Sequence, residues 1–224
     1  MPELNFQIEG SEAVPFAVAP TIAFKLQIAT GGDSQAIHSM SLQCQIQIEA
    51  TQRRYSRDEQ RRLFDIYGEP HRWGQTLRAM FWTQVNTNVP AFTGTTTLDL
   101  LVPCSFDFNI AANKYFASLR DGEIPLSFLF SGTIFYEGPD GRLQVERIPW
   151  EKEAKYRLPV SVWQKMMELY YPNERWLSIR GDIFDRISEY KRRRAIATWD
   201  QALESLLSSA EQIDDRPLIT NKAS

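Results

Sequence analysis

Apolar and polar residues alternate over most of the first 150 positions, and this period of two is typical of β-strands with one buried face. The alternating runs cover positions 22–28, 40–50, 77–85, 98–110 and 124–136. The first two runs are separated by the turn-forming residues 31–34, so they are predicted to form a hairpin. Pro103 lies on the solvent-facing parity of its run and removes a ladder donor, which predicts an edge, a bulge or a break there.

A short helix is predicted inside the strand pattern, over residues 57–67. Ser56 and Glu59 fit a capping box, and Gly68 stands where a helix favours a left-handed residue at its end. Leu63, Phe64 and Tyr67 form one apolar stripe along this helix. We expect the stripe to cover an open end of the sheet core.

The last third of the chain changes to a helical period. Apolar stripes follow Pro159, recur at 183–190, and recur again after a second capping box formed by Thr198 and Gln201. The sequence therefore predicts a mainly β, α+β fold, an antiparallel β-sandwich of about seven strands with a C-terminal helical cap. We expect one domain over 1–210, made of the sandwich (1–150) and the cap (159–210), followed by a flexible tail at 211–224.

Charge and composition exclude several classes of protein. A net charge of −3 and a pI near 5.5 argue against general nucleic-acid binding. No run of about 18 apolar residues is present for a membrane span, and the start of the sequence lacks the pattern of a signal peptide. We therefore expect a cytoplasmic protein. Cys44 and Cys104 both fall on apolar strand faces, so no disulfide is expected.

Catalytic and metal-binding motifs are scarce. The two histidines, His38 and His71, share no short metal-ligand spacing with either cysteine, so neither a metal nor a cofactor is predicted. Nucleophile elbows and phosphate-binding glycine loops are missing as well. His71 lies in a loop beside Glu69 and Arg72, which leaves two interpretations: a catalytic group, or an exposed histidine next to a packed tryptophan.

Arginine and tryptophan are the residue types that suggest a contact surface. The chain has 18 arginines and 7 lysines, which fits either a partner surface or the base composition of the gene. Its six tryptophans serve either a core or an interface, and Trp176 suits the docking of helices on the sandwich. The candidate binding residues are Arg53, Arg54, His71, Arg72, Trp73 and Trp176.

Four segments resemble a known family. They are WGQTLRAMFW (73–82), KYFASLRDGEIPLSFLFSGTIFY (114–136), Ile148-Pro149-Trp150 and YRLPVSVWQKMMELYYPNERWL (156–177). Together they resemble an uncharacterised bacterial family, a domain of unknown function that spans nearly the whole chain. The resemblance implies a gene neighbourhood of high-affinity nickel-iron uptake hydrogenases, and hence an accessory or assembly role. It assigns no functional residue.

The leading functional hypothesis is a non-enzymatic accessory protein that binds a protein partner, such as a hydrogenase subunit or maturation factor. One alternative is an enzyme without a recognisable motif that uses His71 with Arg72 or Glu69. Another alternative is a carrier of a small apolar ligand held between the sheet and the helices.

Overall fold

The computed structural model describes residues 2–31, 36–105, 110–174, 177 and 179–214. The chain forms two compact units, Met1–Glu174 and Arg175–Ser224. The strands are β1 (Leu4–Ala13), β2 (Thr21–Thr30), β3 (Ala36–Ile48), β4 (Met80–Val89), β5 (Phe92–Thr93), β6 (Thr95–Pro103), β7 (Glu123–Glu137), β8 (Leu143–Arg147) and β9 (Glu153–Pro159). The helices are α1 (Arg57–Arg62), α2 (Phe64–Tyr67), α3 (Trp73–Thr76), α4 (Ile110–Ser118), α5 (Val160–Tyr170), α6 (Gly181–Arg193) and α7 (Trp199–Asp214).

The strands form two antiparallel sheets in the first unit. One sheet has the strand order β1-β2-β6, and the other has the order β4-β3-β7. In the second sheet, β9 pairs with the first half of β7 and β8 pairs with its second half. The short β5 pairs with the start of β3. The predicted mainly β, α+β class is confirmed, with nine strands among the described residues rather than about seven. Pro103 ends β6 opposite Thr21, which agrees with the expected edge or break.

The two sheets bury their alternating apolar faces against each other. Phe6 of β1 stacks on Phe130 of β7 with ring centroids 4.4 Å apart, and Phe24 of β2 meets Phe128 of β7 edge-on at 5.0 Å. Contacts of this geometry add to the free energy that burial of the rings already contributes. Cys44 and Cys104 are buried and free, as the apolar strand faces indicate.

The predicted hairpin between the strands at 22–28 and 40–50 is wrong. β2 pairs with β1 and β6, whereas β3 pairs with β4, β5 and β7 in the other sheet. The alternation identified the buried face of each strand correctly, but this face does not specify the neighbouring strand. Residues 32–35, within the predicted turn, and residues 106–109, within the predicted strand 98–110, lie outside the described residues.

Two helices of the first unit pack with the sandwich. Phe116 of α4 lies between Trp82 of β4 and Trp163 of α5, with ring centroids 4.8 and 5.8 Å away. Helix α5 contacts β1, β2 and β9, and it buries Met166 and Met167. The first unit therefore carries helical cover of its own.

Helices α6 and α7 form the second unit. Phe184 and Trp199 lie with ring centroids 5.1 Å apart, and the Lys191 ammonium lies 5.4 Å from the centre of the Trp199 ring. The hydroxyls of Tyr190 and Ser205 are 2.7 Å apart. In the part of the chain that the structure describes, no helix combines the length and hydropathy needed to cross a membrane. Residues 215–224 of the predicted tail lie outside that part.

Candidate functional site

The connection between β3 and β4 carries all three arginines that the sequence marked as candidates. It begins with a 3-10 turn at Ala50–Gln52 and continues through α1, α2, a second 3-10 turn at Pro70–Arg72, and α3. The predicted capping box is present: the Ser56 Oγ accepts a hydrogen bond from the Glu59 amide, and the Glu59 carboxylate accepts one from the Ser56 amide at 2.9 Å. Helix α1 is therefore fixed at its first turn.

Arg53 forms a buried ion pair within this connection and also links the connection to the turn before β7. The Arg53 Nη2 lies 2.7 Å from the Glu59 Oε1, and the two side chains are only 7% and 3% exposed. The same guanidinium donates hydrogen bonds to the main-chain carbonyls of Asp121 and Glu123, at 2.7 and 2.6 Å. Because these donors are already used within the chain, Arg53 acts as part of the framework of the site.

Hydrogen bonds determine the charge state of Glu59. Burial raises the pKa of this carboxyl, but hydrogen bonds from the amides of Ser56 and Arg120 and from the Arg53 guanidinium outweigh burial. The pKa of Glu59 therefore lies below its ordinary value, and the carboxylate is ionised at neutral pH.

Three aromatic rings of the connection pack with a ring of α4 to form an aromatic cluster: Tyr55, Tyr67 and Trp73 with Tyr115. Trp73 meets Tyr55 edge-on at 5.3 Å, and its indole N–H donates to the Gly68 carbonyl at 3.0 Å. Tyr55 donates to the Ala50 carbonyl at 2.7 Å, and burial raises its pKa to about 12. Together with the ion pair, this aromatic cluster holds α1, α2 and α3 in fixed positions.

The outer side of the connection is an open depression of about 620 Å³. Its lining consists of Arg57, Gln60, Arg61, Phe64 and Pro70. Phe64 is 53% exposed and supplies the aromatic ring of this lining.

The charges around the depression are unevenly paired. Asp58 lies 3.0 Å from Arg62 and 3.5 Å from Arg120, whereas its distance to Arg61 is 4.0 Å. Arg57 has no ion-pair partner among the described residues. The depression therefore offers an apolar ring flanked by two weakly neutralised guanidinium groups.

The structure brings most of the predicted binding residues into this one connection. Arg54, His71 and Arg72 are exposed, whereas Arg53 and Trp73 belong to the framework beneath them. The His71 Nδ1 lies 3.0 Å from the Glu69 carboxylate, with side chains 72% and 60% exposed. Water therefore surrounds this pair, an environment that does not favour a catalytic role. Trp176 lies outside the described residues.

Phe64 is the functional candidate that the sequence pattern misplaced. It was expected on the buried stripe with Leu63 and Tyr67, but only Leu63 and Tyr67 are buried. The helical run is interrupted at Leu63, where α1 ends and α2 begins, and Phe64 then faces outward. Its neighbours in the sequence gave no signal of this interruption.

Comparison with known proteins identifies a family and no activity. A family model described as a family of unknown function, DUF6084, matches residues 1–215. None of the curated proteins matches the chain.

Three solved structures show weak similarity. The CARDB domain of a Pyrococcus furiosus protein, in complex with di-metal ions, is 8% identical with a TM-score of 0.27, over 70% of this chain and 92% of that domain. A putative late embryogenesis abundant protein is 13% identical with a TM-score of 0.33, over 71% and 73% of the two chains. A β-glucosidase from Kluyveromyces marxianus is 11% identical with a TM-score of 0.25, over 70% of this chain and 15% of the enzyme. TM-scores this low support no conclusion about function.

Proposed function

We propose that this chain, which belongs to the DUF6084 family of unknown function, is a non-enzymatic protein-binding module. Its contact surface is the depression lined by Arg57, Arg61 and Phe64. The observation that carries this proposal is the exposed Phe64 ring, which lines the depression together with Arg57 and Arg61 above a fixed framework. Aromatic and arginine side chains are the types that contribute most to protein-protein binding.

The framework supports this proposal because it reduces the entropic cost of binding. The Arg53–Glu59 ion pair and the aromatic cluster hold α1 and α2 in place before any partner arrives. A partner then orders only the exposed side chains of the depression, and less binding free energy is lost.

The chemistry of the depression defines the class of partner. Arg57 and Arg61 favour carboxylates, and Phe64 favours an aliphatic or aromatic side chain. The proposed partner is therefore a protein segment with an apolar anchor residue flanked by acidic residues. The whole chain carries a net charge of −3, so attraction of an acidic segment depends on this local surface.

The finer part of the proposal concerns the identity of the partner. The family resemblance suggests a hydrogenase subunit or a hydrogenase maturation factor, acting in the cytoplasm. The two alternatives remain predictions: an enzyme that uses His71, and a carrier of a small apolar ligand.

The test is affinity capture from the native host with paired variants, followed by mass spectrometry. Phe64→Ala and the double variant Arg57→Glu/Arg61→Glu remove the two features of the depression. The matched control is Arg147→Glu/Arg157→Glu, which reverses two exposed arginines on β8 and β9. We expect one protein to be retained by the native chain and the control, and to be lost from both depression variants.

The retained protein is then purified and titrated against the same four chains. A drop in affinity of at least about tenfold for the depression variants alone supports the proposal. Equal affinity for all four chains, or no protein that differs between variants and control, overturns it. If the retained protein is unrelated to hydrogenases, the binding surface stands and the hydrogenase role is rejected.

A further inference from the structure

A second candidate surface is the loop between β1 and β2, residues 14–20. Phe16 and Val18 of this β1–β2 loop are fully exposed, and they are the two most exposed large apolar side chains among the described residues. Single exposed apolar residues are common, but two completely exposed ones only two positions apart in one short loop are not explained by the fold.

The loop is held in one conformation by hydrogen bonds. The Tyr170 hydroxyl of α5 accepts a hydrogen bond from the Ala17 amide at 2.7 Å and donates one to the Val14 carbonyl at 2.8 Å. At the base of the loop, the Val14 amide donates to the Thr21 carbonyl at 3.0 Å. Because the Tyr170 side chain bonds to both arms, the loop tip is fixed although Phe16 and Val18 are fully exposed.

The backbone at the tip is strained. Phe16 has a φ of 59°, in the left-handed region that residues other than glycine, asparagine and aspartate rarely adopt. This conformation costs about 1 kcal/mol or more, and burial of the ring offsets none of that cost since the ring is exposed. Strained backbone of this kind is concentrated at binding and catalytic sites.

The charge pattern of the segment indicates the type of surface that it fits. No charged residue occurs between Glu12 and Lys25, and Pro15 and Pro20 flank the exposed pair. The segment itself therefore carries no cation for lipid headgroups and no anion for a basic surface. The prolines restrict the loop further and reduce the cost of ordering it in a complex.

We infer that the β1–β2 loop is a preformed anchor that inserts Phe16, with Val18 beside it, into an uncharged apolar pocket of a protein partner. The anchor uses no residue of the depression at α1 and α2. The anchor is expected to contribute as a hot spot, because it is rigid, aromatic and completely desolvated on insertion.

The test begins with a photocrosslinking amino acid, p-benzoylphenylalanine, placed at position 16 of the full chain in the native host. We expect a discrete protein adduct after irradiation, identified by mass spectrometry. The same amino acid at position 150, where Trp150 is 87% exposed, is the control for nonspecific contact of an exposed ring. The adduct must be absent from the control and must be lost when Val18→Asp places a charge beside the anchor.

The crosslinked protein is then purified, and its affinity is measured against Phe16→Gly. Glycine accepts the left-handed conformation without strain, so this variant should melt at the same temperature as the native chain or higher. We expect its affinity for the partner to fall by about tenfold or more. Loss of binding without loss of stability separates a contact residue from a structural one.

Three outcomes overturn the inference. The first is an unchanged affinity of Phe16→Gly for the partner, and the second is a set of crosslinked proteins at position 16 that matches the set at position 150. The third is crosslinking of position 16 to lipid, together with flotation of the chain on phosphatidylglycerol vesicles. The Phe64→Ala variant is carried through the same crosslinking experiment. An adduct that persists in Phe64→Ala shows that the loop acts independently, so failure of the depression proposal and failure of this inference are distinguishable.

Discussion

The β3–β4 connection and the β1–β2 loop are both fixed by a side chain that reaches a distant part of the sequence, but by different chemistry. The guanidinium of Arg53 bonds to carbonyls 68 and 70 residues away and to a buried carboxylate. The hydroxyl of Tyr170 bonds to two main-chain groups 153 and 156 residues away. One region is fixed by a buried ion pair and the other by neutral hydrogen bonds.

The difference follows from the size of the two segments. The β3–β4 connection contains three short helices, each too short to be stable alone, so it needs an aromatic cluster and a fixed charge to order it. The β1–β2 loop has only residues 14–20 to order, and the Tyr170 hydroxyl holds it together with a few hydrogen bonds at its base. A surface built on the ion pair should therefore respond to pH and to charge substitutions, whereas the loop should not.

The largest expected effect comes from Arg53→Met. This change leaves the buried Glu59 carboxylate without its counter-charge and leaves two carbonyls without donors, so we expect a loss of about 3–5 kcal/mol in the free energy of unfolding. The measurement is urea denaturation followed by circular dichroism. The matched control is Arg54→Met at the adjacent exposed position, where a change within about 0.5 kcal/mol is expected.

An equal loss at positions 53 and 54 would contradict the ionic framework. It would mean that arginine at this turn matters for its charge in general rather than for the contacts of one guanidinium.

A smaller effect is expected from acid. The pKa of Glu59 is lowered in the folded state, so its contribution to stability is complete above the unfolded pKa of about 4.3 and is lost as the pH falls through the folded value. We expect Glu59→Gln to be clearly less stable than the native chain at pH 7. The gap between the two free energies of unfolding should narrow progressively below about pH 4.

Urea denaturation of the native chain and of Glu59→Gln between pH 7 and pH 3 measures the difference between their free energies of unfolding. The effects of the other carboxyl groups cancel in this difference. A gap that stays constant over this range would show that Glu59 stabilises the fold by its shape alone.

The framework of the site was only partly predictable from the sequence, and the reason is physical. The Ser56–Glu59 capping box was correct because its partners are three residues apart and local spacing determines them. The contacts of Arg53 and Tyr170 join main-chain atoms far along the chain, and such contacts leave no periodic signature. The sequence therefore placed the candidate arginines in one segment, but it did not separate the buried Arg53 from the exposed Arg54 and Arg72.

The fold was also predicted only in part. Alternation identified the buried faces of β2, β3 and β7, because each core position is determined by its own side chain. The pairing of the strands was not identified, because β2 and β3 each have one buried apolar face and this pattern would fit either sheet. Helix α4 was missed because Tyr115 and Phe116 are common in strands and its buried residues lack a clear stripe.

The smallest expected effect comes from Tyr170→Phe, which removes the hydroxyl that joins the two arms of the β1–β2 loop. Water can reach the exposed tip and replace part of both hydrogen bonds, so the expected loss is about 1 kcal/mol, independent of pH from 4 to 8. Hydrogen exchange at the Ala17 amide should accelerate, because its acceptor is removed. Tyr156→Phe, which removes a hydroxyl bonded to the Ser11 side chain, is the control and should leave that amide unchanged. If exchange at Ala17 stayed slow in Tyr170→Phe, the loop would be ordered by its prolines and its strained tip alone. The two regions would then differ in another way: the β3–β4 connection would be fixed by contacts with the rest of the chain, and the β1–β2 loop by its own backbone.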